Sequence, residues 1–516
     1  MRCALLALST SFAHATEADV AAREPGLIGD LLQLPYASST LLQATIFGQG
    51  LLFHARQFVE HSKKSNGTRV FGSAGHNATV NYIKTLLDAT RYYDTEIQTF
   101  PYLYSAGSAT FGLSNGTTYS DVNWFTYGPG GDVTAPIILV DREGCETSNY
   151  AVPAVTGNIV LIKRGTCTFS DKVARAGAAG AAGVIIYNNV EGTISGTLGE
   201  IVNPLGPYVP AASVTNQVGL ALVAAIEADN VIGHLKVNAQ TETRYTSNVL
   251  ATTKNGDKKN VVLVGGHTDS VAAGPGINDD GSGTMGILEV ALRLPAFRVK
   301  NAVRFGFWTA EEFGLVGSEY YASSLTNGEP KPSPKIPHRS EDIALYLNFD
   351  MIASPNPGYF VFDGDGDAFN ITGPAGSDHI EKTLSDFLLK NHKIKSAPTA
   401  FDGRSDYGSF IPLGIPAGGY FTGAEGIMSE ERAKLWGGKA GVAYDKCYHK
   451  QCDGIDNLNV PAWVINTKGI AHAVATYAKS LDGIPRGQRV AKEIPVSRLS
   501  YDERKHYSCG EEILTS

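Results

Sequence analysis

Two histidines and four carboxylates of this chain fall on turns rather than on helix faces: His267, Asp279, Glu311, Glu312, Asp350 and His449. Imidazole nitrogen and carboxylate oxygen are donors that zinc takes, and a catalytic zinc site keeps a position open for water. Three carboxylates plus one hydroxide neutralise two divalent ions while both imidazoles stay neutral, so the set suits a pair of zinc ions. One glutamate of the Glu311–Glu312 pair is then left free to act as a base, because neighbouring side chains on a turn point in different directions. Asp269, two residues after His267, is placed to hold the other ring nitrogen and so fix the tautomer.

Taken singly these residues are weak signals. An isolated Glu-Glu is usually a solvated helix start, where the macrodipole favours acids, and INDDGSG (277–283) alone is usually just a turn. Their placement changes the reading. Three short apolar runs, VVLVGG (261–266), VRFGFW (303–308) and IALYLNF (343–349), lead into His267-Thr268-Asp269, Glu311-Glu312 and Asp350. They alternate with helical periodicities at 283–294, 312–325 and 377–391, and a last helix over roughly 461–481 closes the pattern. Apolar strands alternating with helices predict a mainly parallel sheet buried on both faces. In such sheets functional groups gather at the carboxyl ends of the strands. DGDGD (363–367) lacks the Gly and Glu positions of an EF-hand loop and reads as a surface turn.

Upstream, two helical patterns span Leu52–Leu87, the second beginning near Asn77 with Val80, Ile83, Leu86 and Leu87 on one face. A strand-like Thr95–Phe100 ends at Pro101. Residues 105–238 are glycine-rich, with short strands and little helix. The expected order is a signal peptide (1–15), a propeptide or arm (16–45), a first catalytic part (46–104), an insert (105–238), the main catalytic part (239–484) and a polar, aperiodic tail (485–516).

With 516 residues, two domains are expected. A net charge of −8 argues against a nucleic-acid or anionic-membrane partner, which needs a basic face. No apolar run reaches the 18 residues needed to span a membrane. MRCALLALSTSFAHA has one basic residue, a short apolar stretch and an Ala-His-Ala end, the pattern of a secretory leader. Four Asn-X-Ser/Thr sequons, at Asn66, Asn77, Asn115 and Asn370, agree with secretion. Of the six cysteines, Cys145 and Cys167 lie in one region and Cys447 and Cys452 in another, which suggests an oxidising compartment. Cys3 leaves with the leader, so Cys509 stands as an odd cysteine in the tail.

In order along 243–481, the segments GGHTDSVAAGPGINDDGSGT, WTAEEFGLVGSEYY, LNFDMIASPNPGYFVFDGD, GRSDYGSF and DKCYHKQCD resemble the zinc aminopeptidases related to vacuolar aminopeptidase Y. Secreted fungal and bacterial leucine aminopeptidases are similar, and HNATVNYI extends the likeness upstream. GNIVLIKRGTCTFSDKVARAGAAGAAGVIIYNN resembles a protease-associated (PA) domain; it arranges no groups for catalysis, so a cover or spacer is the expected role.

The resemblance implies an α/β fold: a mixed, mainly parallel sheet flanked by helices, with a β-rich PA domain inserted. It implies that His267 and Asp350 hold one zinc, Glu312 and His449 the other, and that Asp279 bridges them. Glu311 is implied as general base for a hydroxide shared by the two ions, and Tyr448 as the donor that stabilises the tetrahedral intermediate. Met351, Gly403, Arg404 and Phe421 are implied to line the pocket for the substrate side chain, which suits a hydrophobic first residue such as leucine. A cis peptide at Asp279–Asp280 and disulfides Cys447–Cys452 and Cys145–Cys167 are also implied. The expected protein is a secreted monomer, with the vacuole as the alternative location, acting on peptides with free N-termini. A carboxypeptidase would need cationic groups for a free carboxylate, a non-enzymatic receptor would have lost ligands, and a glutaminyl cyclase would use one zinc.

Overall fold

The computed structural model describes residues 34–140, 142–150, 154–199, 201–326, 339–487 and 489–492. The expected leader, Cys3, Cys509 and most of the tail lie outside the described residues. The three apolar runs form the strands Asp257–His267, Asn301–Trp308 and Ile343–Phe349. The first lies between the other two and parallel to both. Ile343–Phe349 is parallel to Ala417–Phe421, which pairs antiparallel with Phe360–Phe362, itself parallel to Ala397–Thr399. The sheet is therefore mixed and mainly parallel, as expected.

Alternation along the strands explains their continuous apolarity. Val262, Val264, Leu345 and Leu347 face a core shared with helices Gly48–Ser62, Ala74–Ala89, Gly281–Arg293 and Val460–Lys479. Leu263 and Tyr346 point to a second core with Trp308, Tyr321 and Phe410. Each fully buried apolar side chain is worth about 1.5–3 kcal/mol over exposure, so the strands that carry the site are held firmly from both faces. The helix expected from near Asn77 begins at Ala74, capped by Ser73, whose Oγ accepts the His76 N–H. Its first turn, Ala-Gly-His, shows no apolar stripe. Among the described residues no helix is long and apolar enough to cross a membrane.

The strand expected to stop at Pro101 instead runs from Tyr93 to Leu113, paired antiparallel with Ile232–Thr253. An edge strand tolerates proline because alternate N–H groups face away from the partner. This ribbon is unbroken through the limits expected at 104/105 and 238/239. Its far end joins Gly131–Leu139, and strands Ile159–Lys163, Gly183–Tyr187 and Ala211–Val214 follow in parallel. Cys145 and Cys167 are disulfide-bonded within this second unit.

Two further differences concern the ends. Ala37 and Leu42, in the stretch expected to be a propeptide or arm, are buried in the main core. The start of the tail is anchored: Arg486 donates to the carbonyls of Lys259, Glu341 and Ile343.

Candidate metal centre

Strand ends and turns deliver every chemical group. His267 ends its strand, Asp350 follows Phe349, and Glu311 and Glu312 begin a short helical turn just beyond Trp308. Asp280 ties these ends together. Its Oδ1 accepts the N–H groups of Gly283 at 2.8 Å and Met351 at 3.1 Å, and its Oδ2 accepts that of His267 at 3.2 Å. The Asp279–Asp280 peptide is cis. Ala310, Met351 and His449 are left-handed (φ 53°, 51° and 54°) although none is glycine. Such residues cost about 1–3 kcal/mol each and persist only where the surroundings hold them.

The side chains converge on Asp279. Its Oδ1 lies 3.2 Å from His267 Nε2 and its Oδ2 lies 3.1 Å from His449 Nε2. Glu312 Oε2 is 2.9 Å from His449 Nε2, and Asp350 Oδ1 is 3.7 Å from His267 Nε2. Glu311 Oε2 is also 3.7 Å from His267 Nε2, so proximity alone does not separate base from ligand. Asp350 is oriented by Ser405, whose hydroxyl donates to Oδ2 at 2.6 Å and in turn accepts from Asn348 at 2.8 Å. Asp269 faces His267 Nδ1 at 3.6 Å, beyond hydrogen-bond reach; its Oδ1 accepts the Glu311 N–H at 3.1 Å.

Electrostatics shows what the cluster needs. Burial pushes Glu311 well above the carboxylate range, Glu312 up to about 7 and Asp350 up to about 6. Burial opposes charge on His449, but Glu312 and Asp279 outweigh it and raise it to about 11. Ionised together, the four buried acids would outnumber the two imidazoles, which is why burial favours their protonated forms, and Glu312 Oε1 and Asp350 Oδ1 make no hydrogen bond. Buried anionic oxygens need cations. The oxygen and imidazole donors fit divalent zinc.

Met351, Arg404, Phe421 and Tyr448 line the cavity above the acids, together with Phe362 and Tyr407. Gly403 is not in that lining; its N–H donates to Tyr407 Oη at 3.0 Å. The Tyr448 ring stacks on His449 with centroids 3.8 Å apart. Arg404 donates to Tyr448 Oη at 3.0 Å and to both oxygens of Glu425. Its charge is thus met within the chain, and it is no spare anchor for a free carboxylate. The disulfide Cys447–Cys452 closes the loop that carries Tyr448 and His449. A second acidic group, Asp363, Asp365 and Glu381, is satisfied internally: Asp363 accepts the N–H groups of Gly366, Ala368 and Phe369, and Glu381 those of Gly364 and Asp365.

Sequence reasoning missed several supporting residues. Arg69 is fully buried and donates to the carbonyls of Thr268, Pro275 and Gly276, holding the loop between His267 and Asp279. Asp453 accepts the N–H of Asn278 at 2.9 Å through Oδ1 and that of Asp279 at 3.0 Å through Oδ2. Tyr407 lay within GRSDYGSF, but nothing local shows which side chain of that segment reaches the cavity.

With this geometry in place, the likeness to known proteins is specific. The family description "Peptidase family M28" matches residues 248–474, and "PA domain" matches 133–222. The chain is 50% identical over 418 residues to "Probable leucine aminopeptidase 2" of Aspergillus fumigatus, covering 81% of this chain and 80% of that protein. It is 45% identical over 425 residues to "Leucine aminopeptidase 2" of Trichophyton rubrum, covering 82% of each. Among solved structures, an aminopeptidase from Aneurinibacillus sp. strain AM-1 superposes with a TM-score of 0.61 at 27% identity, over 89% of this chain and 98% of that one. A zinc aminopeptidase from Bacillus subtilis, at 21% identity and a TM-score of 0.55, covers 86% of this chain and 98% of its own and shares the fold.

Proposed function

The chain belongs to peptidase family M28 and carries a PA domain, and from that membership we propose that it is a secreted aminopeptidase using two zinc ions to release leucine and other hydrophobic residues from peptide N-termini. One observation carries the reading: Asp279 turns one carboxylate oxygen to His267 and the other to His449, so one residue joins two sets of donors. His267 and Asp350 would hold the first ion, Glu312 and His449 the second, and Asp279 would serve both. Bound zinc supplies a Lewis acid for the scissile carbonyl and lowers the pKa of water toward about 7.

The chain's own groups do the rest. Glu311 accepts the proton of the attacking water and passes it to the leaving amine; its burial, which favours the protonated form, suits a proton carrier. Tyr448 accepts from Arg404, which leaves its O–H free to donate to the developing oxyanion. The acids meet the free α-ammonium, which makes the enzyme an exopeptidase. Met351, Phe362 and Phe421 receive the first side chain, with Arg404 beside them in the lining and Gly403 acting only through Tyr407, whose Oη accepts its N–H.

Secretion is supported by the two disulfides and by the exposure of Asn66, Asn77, Asn115 and Asn370, which we assign as glycosylation sites; the vacuole is the alternative location. Any propeptide ends before Ala37, which is core. The PA domain over 105–238 is a cover or spacer, and the chain acts as a monomer. The test is metal analysis together with release rates from a panel of aminoacyl-anilides. Two zinc ions per chain and fastest release of leucine are expected. One ion, or release from the C-terminus of an N-acetylated peptide, overturns the reading.

A further inference from the structure

Three consecutive amides of the turn that carries Asp279 end on one residue. The Ile277 N–H donates to the Asp453 carbonyl at 3.0 Å, the Asn278 N–H to Asp453 Oδ1 at 2.9 Å, and the Asp279 N–H to Asp453 Oδ2 at 3.0 Å. Asp453 is 1% exposed, so no water substitutes for these bonds. A peptide N–H buried without a partner costs about 1–3 kcal/mol, and the turn has no other acceptors for these three amides among the hydrogen bonds of the described residues.

Asp453 directly follows Cys452, the second cysteine of the loop that presents His449. The same contact zone is closed by Asn457, whose Nδ2 donates to Asp453 Oδ1 at 3.0 Å and to both oxygens of Asp445. Asp445 also accepts the Cys447 N–H at 2.8 Å and the Asn278 side-chain amide at 2.7 Å. Gly274 lies against Lys450, where a Cβ would come within 2.1 Å of the Lys450 carbonyl oxygen. The two segments are thus in backbone contact at Lys450 and at Asp453 itself.

We infer that Asp453 is a positioning residue for the metal pair: it clamps the Asp279 turn to the Cys447–Cys452 loop and thereby sets the distance between the bridging carboxylate and His449. The inference rests on the proposed role of Asp279 as bridge. Ligand groups must sit within about 0.5 Å of their working geometry, and the Asp453 carboxylate fixes two adjacent amides at once, one on each oxygen. Asp453→Asn keeps the size of the side chain but turns an NH2 toward one of those N–H groups.

The experiment uses the full chain and has four readouts: zinc affinity by chelator competition, kcat and KM on leucine anilide, melting of the zinc-saturated protein, and amide exchange of the 277–279 segment. Asp453→Asn is expected to weaken zinc binding and lower kcat by about tenfold to a hundredfold, the usual cost of losing a partner that orients a ligand. KM should stay within about twofold, exchange at 277–279 should rise, and excess zinc should restore part of the rate. Asp445→Asn, which leaves the Asp279 N–H bonded, is the comparison for a purely structural loss. Wild-type zinc affinity in Asp453→Asn, or losses of zinc and rate in both variants that simply follow melting, would overturn the inference. If Asp453→Asn does not fold, Asn457→Ala loosens the same carboxylate from one side and must reproduce the zinc weakening in smaller measure. The bridge reading is tested separately by zinc content of the wild type and of Asp279→Asn. One ion in the former, or two in the latter, sinks that reading and the inference with it, whereas two and fewer than two leave Asp453 to be judged alone.

Discussion

Asp279 Oδ2 stands 3.1 Å from His449 Nε2, although one residue opens a helix in the middle of the chain and the other sits in a disulfide-closed loop near its end. That contact makes the two donor sets a single centre. It depends on Asp280, which gathers the ends of two strands at the helix start, and on the segment 445–457, which brings His449 to them. The candidate site residues are therefore held by strand ends whose side chains fill two cores, within a local polar network.

The division of labour between adjacent glutamates is the first point to test. Glu311→Gln should keep the fold and both zinc ions, while kcat falls by at least about a hundredfold, the low end for loss of a general acid–base. Glu312→Gln should lose zinc along with activity, because its Oε2 faces His449 at 2.9 Å. Zinc analysis after gel filtration separates the two. Equal loss in both variants would reverse or remove the assignment.

Tyr448→Phe removes the hydroxyl that Arg404 orients. The expected result is a fall in kcat of about a hundredfold or more with little change in KM, the pattern of a donor used only in the transition state. Zinc content should be that of the wild type. A rise in KM at constant kcat would instead place the hydroxyl on the bound substrate.

The convergence of these side chains was legible in the sequence because two independent signals coincide there: residue types that zinc takes, and their position just beyond apolar runs that form buried strands. His267, Glu311, Glu312 and Asp350 follow from that rule, and the cis peptide and both disulfides follow from the resemblance. The long ribbon was not legible. Past Phe100 it opens with Pro101 and includes Gly107 and Gly112, so it carries neither an apolar run nor clean alternation, and only its partner Ile232–Thr253 makes it a strand. Asp453 was invisible for a different reason. Its partners lie 174 and 175 residues away, and an aspartate after a cysteine shows no periodicity that could announce them. The burial of Leu42 and Ile46 likewise depends on helix Val460–Lys479, against which the short helix Ser39–Gln43 packs.

The two disulfides should behave differently. Cys447 and Cys452 are only 5 apart, so their bond removes little chain entropy and should add little to global stability. Their loop, however, presents Tyr448 and His449. Replacing both by serine should weaken zinc retention and lower kcat while melting shifts little. Replacing Cys145 and Cys167, which are 22 apart in the second unit, should lower melting and leave kcat unchanged. Full activity and zinc retention without the Cys447–Cys452 bond would mean that packing and Asp453 suffice to place the loop.

Stability should also fall on mild acidification, for a reason outside the metal centre. Burial lowers His61 from 6.5 to about 4, with Lys64 and Arg69 acting in the same direction against Glu60. Burial likewise lowers His76 to about 4, with Asp269 opposing and Arg69 assisting. His61 bonds Thr79 and so joins the first two helices, while His76 bonds Thr268 and ties the second of them to the loop after His267. Between about pH 4 and 6.5 the unfolded chain takes up protons that these folded residues refuse. The unfolded state then binds more protons, so stability increases with pH: the contribution is present above pH 6.5 and is lost as pH falls toward 4. For the fully buried His76 the slope is at most about 1.4 kcal/mol per pH unit. Glu312 and Asp350, which burial raises to about 7 and about 6, contribute with the opposite sign, so the test is a difference between proteins. Denaturant midpoints of the wild type and of His61→Gln/His76→Gln are compared at pH 7, 6 and 5 under fixed zinc. The double variant should start less stable and lose less on acidification; parallel pH profiles would show that neither histidine carries the effect.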